Sequence, residues 1–155
     1  MCARHNTRGR SETMRRSSEN TRKINNSDLL YPDLSYQIVG AVFAIWKELG
    51  PAFKESVYQK ALEKELEKRN ILFKSQQQIP IFYEKQKIGV YTPDFIIDEK
   101  ILLEIKHLPV LTFREKKQGW YYLKGSQYKL LLLVNFGGRK LEIKRWIYDK
   151  ARKKI

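Results

Sequence analysis

The run Leu130-Leu-Leu-Leu-Val134 is the strongest single limit on how this chain folds. Five apolar residues fall far short of the roughly 20 that a membrane-spanning helix needs. Extending the segment from Lys129 to Asn135 gives a strand length with no polar alternation, the pattern of a strand buried on both faces. Such a strand must lie inside a sheet whose two sides are covered by other elements.

Two helices precede the strands. From Leu34 to Leu49, apolar residues at Leu34, Ile38, Val39, Val42, Phe43, Trp46 and Leu49 recur every three or four positions and form one stripe. Asp33 or Ser35 can cap this helix, and Gly50-Pro51 ends it. A second helix is expected from about Glu55 to Asn70, with Val57, Tyr58, Ala61, Leu62 and Leu66 inward and Glu65 and Arg69 paired at i,i+4 on the wet side.

The period then shortens towards two. Ile79 to Tyr83, the turn 84–87 and Ile88 to Tyr91 read as a hairpin. Phe95-Ile96-Ile97 and Ile101-Leu102-Leu103 flank a tight turn at Asp98 to Lys100. A helix from about Thr112 to Lys124 separates these from the central strand. Gly137-Gly138 then turns the chain into a last strand, Leu141 to Tyr148. The expected architecture is α/β, a mixed sheet flanked by helices in the order α-α-β-β-β-α-β-β. Residues 27–155 form one domain in this reading. Residues 1–26 are expected to be a disordered basic arm, because they are rich in Ser, Asn and Thr and hold few large apolar side chains.

Charge narrows the partners. With 31 Lys and Arg against 17 Asp and Glu, the chain carries +14. In the arm, Arg4, Arg8, Arg10, Arg15, Arg16, Arg22 and Lys23 face Glu12 and Glu19, a net of +5 that leaves +9 for the domain. That surplus favours polyanions, either nucleic acid or an anionic membrane surface. The arm contains no amphipathic helix with a clean apolar face, which weakens the membrane reading. It has the charge of a signal peptide's first part without the apolar stretch that follows one, so a cytoplasmic location is expected. Cys2 is the only cysteine, which excludes a Cys-built metal cage, and with His5 and His107 the only histidines a His-built one is not expected. Any metal would be a hard cation on carboxylates.

The segment that carries chemistry is Pro93-Asp94, nine residues, then Glu104-Ile105-Lys106. On a strand, residues two apart share a face and sit about 7 Å from each other. Glu104 and Lys106 therefore point one way and Ile105 the other, into the core. The turn at Asp98 to Lys100 folds Asp94, expected on the preceding strand, back beside Glu104. Two converging carboxylates repel, and a divalent cation makes the arrangement favourable. A neighbouring lysine can hold a water or stabilise a developing oxyanion. The competing reading, a solvated strand face, is disfavoured because Ile101-Leu102-Leu103 and Leu108 mark a core strand. His107 faces the opposite side and reads as packing or rim.

These residues resemble the PD-(D/E)xK nuclease superfamily. More narrowly, the body from about Leu34 to Ile147 is similar to the small bacterial family called GxxExxY proteins. The matching strings are Leu49-Gly50-Pro51, Glu55-Ser56-Val57-Tyr58, Asp94, Glu104-Ile-Lys106, Gln118 with Tyr122-Leu123-Lys124, Asn135-Phe136-Gly137 and Leu141-Glu-Ile-Lys-Arg145. The resemblance implies a restriction-endonuclease-like core and metal-dependent cleavage of nucleic acid, with DNA favoured over RNA. It implies Asp94 and Glu104 as the main ligands of Mg²⁺ or Mn²⁺, the Ile105 carbonyl as a third, and Glu55 reaching the metal directly or through water. Lys106 would orient the attacking water and offset charge in the transition state. Gln118 and Tyr122 fit a Q-x-x-x-Y signature, sharing one helix face where they can hold substrate or brace the lysine.

Each assignment has a plainer counterpart. Glu55 suits a helix N-terminus on electrostatic grounds alone, and Tyr122 can be core with Gln118 at the surface. Trp120 and Tyr121, interleaved with Lys116, Lys117 and Lys124, suit a nucleic-acid groove. Two departures stand out. The family's naming glycine falls at Ala52, which would strain the loop if a positive φ were required there. Gly119 occupies a helix position usually filled by a larger apolar residue, at about 1 kcal/mol of helix propensity. The chain is thus read as a metal-dependent nuclease or nuclease-like domain, able to act as a homodimer. The alternative is a non-catalytic nucleic-acid-binding module that retains the fold.

Overall fold

The computed structural model describes residues 30–149. The arm expected over residues 1–26 lies outside them. Three helices, α1 (Pro32–Leu49), α2 (Glu55–Lys68) and α3 (Phe113–Gly125), accompany seven strands. The strands are β1 (Phe73–Ser75), β2 (Ile79–Tyr83), β3 (Gln86–Tyr91), β4 (Phe95–Ile97), β5 (Ile101–Lys106), β6 (Leu130–Asn135) and β7 (Glu142–Ile147). Five strands precede α3, where the expected order counted three. β2 to β5 fall on the segments read as extended, and the one unforeseen strand, β1, has three residues and no apolar alternation to reveal it.

The main sheet runs β1-β4-β5-β6-β7, with β5 and β6 parallel and every other pair antiparallel. All six residues of β6 are buried, as the apolar run requires. One face of the sheet (Ile101, Leu103, Ile105, Leu130, Leu132 and Val134) packs on α1 and α2. The other face, with Ile96, Leu102 and Leu131, packs under α3 and the β2–β3 hairpin. The hairpin is a separate two-stranded sheet. Its turn is tighter than expected, only Glu84-Lys85, both at positive φ (46° and 64°) as a two-residue hairpin turn requires.

α1 begins at Pro32, whose missing N–H costs nothing at a first helical position. Neither Asp33 nor Ser35 caps it; the N-cap is Tyr31, and no side chain bonds to the free N–H groups. Its buried stripe is Ser35, Ile38, Ala41, Val42 and Ile45, so Phe43 points to solvent instead of inward. Val57 on α2 is likewise exposed, while Tyr58, Leu62 and Leu66 are fully buried. Arg69 meets Glu65 at 3.0 Å, as the spacing predicted. Gly50 closes α1 at φ 60°, whereas Ala52 is not among the positive-φ residues, so the loop before Glu55 is unstrained.

The sheet is locked just beyond its parallel pair. Asn135, fully buried, accepts the N–H groups of Leu108 (2.9 Å) and Gly137 (3.1 Å) and donates to the Leu108 carbonyl (3.0 Å). Phe136 N–H reaches the Lys106 carbonyl. At Gly137 a Cβ would stand 2.4 Å from the Leu108 nitrogen, so only glycine lets these two segments cross. The Asn-Phe-Gly string thus pins the chain immediately after Lys106. Asn135→Ala would leave these buried backbone groups without partners, a loss of about 3 kcal/mol. It should appear as a lower urea midpoint at unchanged m-value, whereas an unchanged midpoint would show the clamp to be dispensable.

Candidate active site

β5 carries Glu104 to Lys106 past the end of its pairing with β4, while β6 still pairs with all three. Leu102 packs on the α3 side of the sheet, and alternation puts Glu104 and Lys106 on that same side. Both are half-buried. They open into a cavity of about 240 Å³ shared with Tyr91, Thr92, Gln118, Gly119, Tyr122 and Leu133. The glycine in α3 has a structural cause: a Cβ at Gly119 would lie 2.9 Å from the Leu131 side chain. Its absence lets the helix settle close to the sheet and roof the cavity.

Asp94 does not sit on a strand. It lies in a bend one residue ahead of β4, because Pro93 has no N–H and the ladder stops there. The Phe95–Leu103 pairing brings it level with Glu104. Its Oδ2 accepts the Ile105 N–H at 2.7 Å, and its Oδ1 accepts Gln76 Nε2 at 2.8 Å. Its own carbonyl accepts the Gln76 N–H (3.1 Å) and Gln59 Nε2 (3.4 Å). The Ile105 N–H faces Asp94, and N–H and C=O of one strand residue point to the same side. The Ile105 carbonyl is therefore on the carboxylate side of β5, while the Lys106 carbonyl turns towards β6.

Glu104 accepts a hydrogen bond from the Tyr91 hydroxyl. The Tyr91 ring stacks on Tyr122 at 4.0 Å and 4°, and the Tyr122 hydroxyl accepts Gln118 Nε2 at 3.5 Å. The Q-x-x-x-Y pair thus braces Tyr91, which in turn holds Glu104, and does not touch Lys106 through these bonds. Burial pushes the Glu104 carboxyl up to about 8, and the charge of Asp94 adds to the rise. The Tyr91 hydrogen bond and the nearby Lys106 charge oppose it. Burial and the charge of Glu104 raise the Tyr91 hydroxyl in turn.

Glu55 is positioned differently. Its carboxylate accepts the His107 N–H at 3.3 Å, at the end of β5 on the α2 side. It does not join Asp94 and Glu104 in a three-carboxylate group, and among the described residues no group of three or more His, Cys, Asp or Glu gathers to hold a metal. Direct ligation by Glu55 is therefore not met by this geometry. The cause is the helix start, which points Glu55 at a strand-end N–H. His107 behaves as expected, packing on Tyr58 (5.8 Å, 21°) with its ring nitrogen 2.6 Å from the Pro51 carbonyl.

A hard divalent cation fits the donor set that does converge. Asp94 and Glu104 offer oxygens only, with the Ile105 carbonyl on the same side, and burial, with the Asp94 charge adding to it, disfavours a bare Glu104 carboxylate that a cation would stabilise. Tyr91, Gln76, Gln59 and Asn135, all outside the motif, fix its geometry. Only Asn135-Phe136-Gly137 stood out in the sequence; a tyrosine at a strand end or a glutamine in a loop carries no such signal.

Fold and site define a restriction-endonuclease-like domain, a mixed sheet that presents Glu104 and Lys106 from β5 level with Asp94 just ahead of β4. Residues 32–146, well over half of the chain, match the family model of the PD-(D/E)XK nuclease superfamily, and the chain belongs to that superfamily. No curated protein and no solved structure matches it. Among the described residues no helix is long and apolar enough to cross a membrane.

The proton on Glu104 has a measurable consequence. As pH rises from the ordinary carboxyl range towards 8, the unfolded chain releases this proton while the fold keeps it, so folding stability falls. A cation competes with the same proton, so its apparent affinity should climb about tenfold per pH unit below 8 and level off above. Calorimetric titration with Mn²⁺ from pH 5.5 to 9 checks this. Tyr91→Phe, which removes a bond to the charged form, should shift the curve to higher pH; a pH-independent affinity would contradict it.

Proposed function

We propose that this domain hydrolyses phosphodiester bonds in DNA with Mg²⁺ or Mn²⁺, using Asp94, Glu104 and Lys106. One observation carries the reading: Glu104 and Lys106, two apart on β5, open to a single cavity, and Asp94, one residue ahead of β4, is brought level with Glu104 and bonded to the Ile105 N–H between them. A nuclease-superfamily domain makes nucleic acid the substrate class, and the net charge of +14 favours such a polyanion.

In this mechanism Asp94 and Glu104, with the Ile105 carbonyl, would hold the cation, and Glu55 would not ligate it directly. The chemistry a bound divalent ion supplies is polarisation of the scissile phosphate and a lowered pKa for water. Lys106 orients the attacking water from the Glu104 side and offsets the charge that builds on the phosphate oxygens. Tyr91 holds Glu104 in position, and Tyr122 and Gln118 hold Tyr91. Asp94 is kept aimed by its bonds to Ile105 and Gln76.

The narrower kinship with GxxExxY proteins is supported by what its strings do here. Tyr58 donates to the Gly50 carbonyl and accepts the Phe53 N–H, while its ring stacks on Phe136 at 4.3 Å. Those contacts join the Leu-Gly-Pro, Glu-x-x-Tyr and Asn-Phe-Gly strings into one structural unit. A homodimer would supply two such sites for cutting both strands of a duplex, and sedimentation of the purified protein decides that point. The rival is a binding module without catalysis, in which the basic charge of the chain does the work and the two carboxylates hold no cation. That rival predicts steep salt dependence and no need for metal.

Lys106→Ala should lower Mg²⁺-dependent cleavage of DNA by at least about 10²-fold, with the circular dichroism spectrum and melting temperature retained. Wild type incubated with chelator should be equally silent. Cleavage at the wild-type rate in the purified variant would overturn the mechanism, and uncut DNA, duplex and single-stranded, with wild type and Mg²⁺ or Mn²⁺ would favour the rival.

A further inference from the structure

A second surface lies on the far side of α3. Residues Glu115, Gln118, Gly119 and Tyr122 face the carboxylate cavity, while Phe113, Lys117, Trp120 and Tyr121 face outward over Trp146 of β7. The groove between them is about 590 Å³, more than twice the carboxylate cavity. Its aromatic rings are unusually open for a folded domain, with Phe113 75% exposed and Tyr121 56% exposed. Trp120 forms its floor, edge-on to Trp146 at 6.1 Å and to Tyr148 at 5.5 Å.

Cations crown these rings. The Lys117 ammonium lies 5.7 Å from the centres of both Phe113 and Tyr121, and the Lys124 ammonium 5.8 Å from those of Tyr121 and Tyr148. Lys116 also lines the groove. Flat faces with positive charge at their edges match a strand whose bases are unpaired: bases stack on the rings and phosphates meet the lysines. A duplex hides its base faces inside the stack, so it can use the lysines but not the rings. An apolar peptide would use the rings and leave the charge unanswered.

We infer that this groove is a stacking platform for single-stranded nucleic acid, and that it selects unpaired strands beside the carboxylate site. The inference deepens the nuclease reading and rests on it for the direction of the strand. The two surfaces are separated by one helix, about 10 Å in diameter. A strand stacked on Tyr121 and Trp120 therefore has only α3 to cross before its next phosphates reach Lys106. The platform supplies a strand preference that the two carboxylates and the lysine, which see only the phosphate, cannot give.

Binding measured in EDTA separates the two readings, because no cleavage occurs there. Fluorescence anisotropy is followed with a labelled 20-nucleotide oligo(dT) and with a duplex of equal length. Tyr121→Ala and Phe113→Ala remove exposed rings and should leave the melting temperature unchanged. Each is expected to weaken oligo(dT) binding by about tenfold and duplex binding by less than twofold, whereas Lys117→Ala weakens both alike. Equal losses for the two ligands, or no loss for either, would overturn the platform. So would wild-type oligo(dT) affinity in Tyr121→Ala accompanied by lost binding to phosphatidylserine vesicles or lost self-association. Selective loss in EDTA together with inactive wild-type protein in Mg²⁺ would support the platform while refuting the nuclease reading. Active enzyme with no strand selectivity would do the reverse.

Discussion

The parallel pairing of β5 with β6 is the constraint on which the rest of the molecule depends. It buries Leu130 to Val134 on both faces and fixes which residues of β5 point to which side. One face then belongs to α1 and α2, the other to α3 and the hairpin. Once Leu102 is committed to the α3 side, Glu104 and Lys106 must follow it, and Ile105 must return to the core. A slip of one residue would send the carboxylate and the lysine into packed leucines, at a cost no neighbouring group offsets.

Much of this was legible in the sequence because burial imposes period. The apolar run of β6 and the alternation Leu-Glu-Ile-Lys in β5 both show as spacing. What escaped was whatever depends on partners distant in the chain. β1 exists because β4 offers it an edge, through the Phe73–Ile97 pairing. Phe43 and Val57 carry the right side chains for a core, yet their helices turn other residues inward. Ala52 seemed a source of strain only until the loop showed that Gly50 alone takes the left-handed turn.

The candidate site divides along the same line. Asp94, Glu104 and Lys106 follow from a short pattern and one turn. Their supports do not: Tyr91 reaches Glu104 from another sheet, Gln76 reaches Asp94 from a loop, and Glu55 is drawn to the His107 N–H at the end of β5. The Gln118–Tyr122 spacing correctly implied one helix face, but its role is indirect, passing through a stacked tyrosine to a carboxylate. Gly119, costly to the helix in isolation, gains its justification only from Leu131 beneath it.

The hairpin β2–β3 shares no backbone ladder with the main sheet, although its Tyr91 supplies the hydroxyl that Glu104 accepts. Side-chain packing through Ile79, Ile81 and Tyr91, with that one hydrogen bond, seats it. The consequence is mechanical. No strand pair of the main sheet ties this corner of the domain down. The same few packed side chains therefore keep the Tyr91 hydroxyl on Glu104 and hold in place the cavity wall that Val90, Tyr91 and Thr92 form.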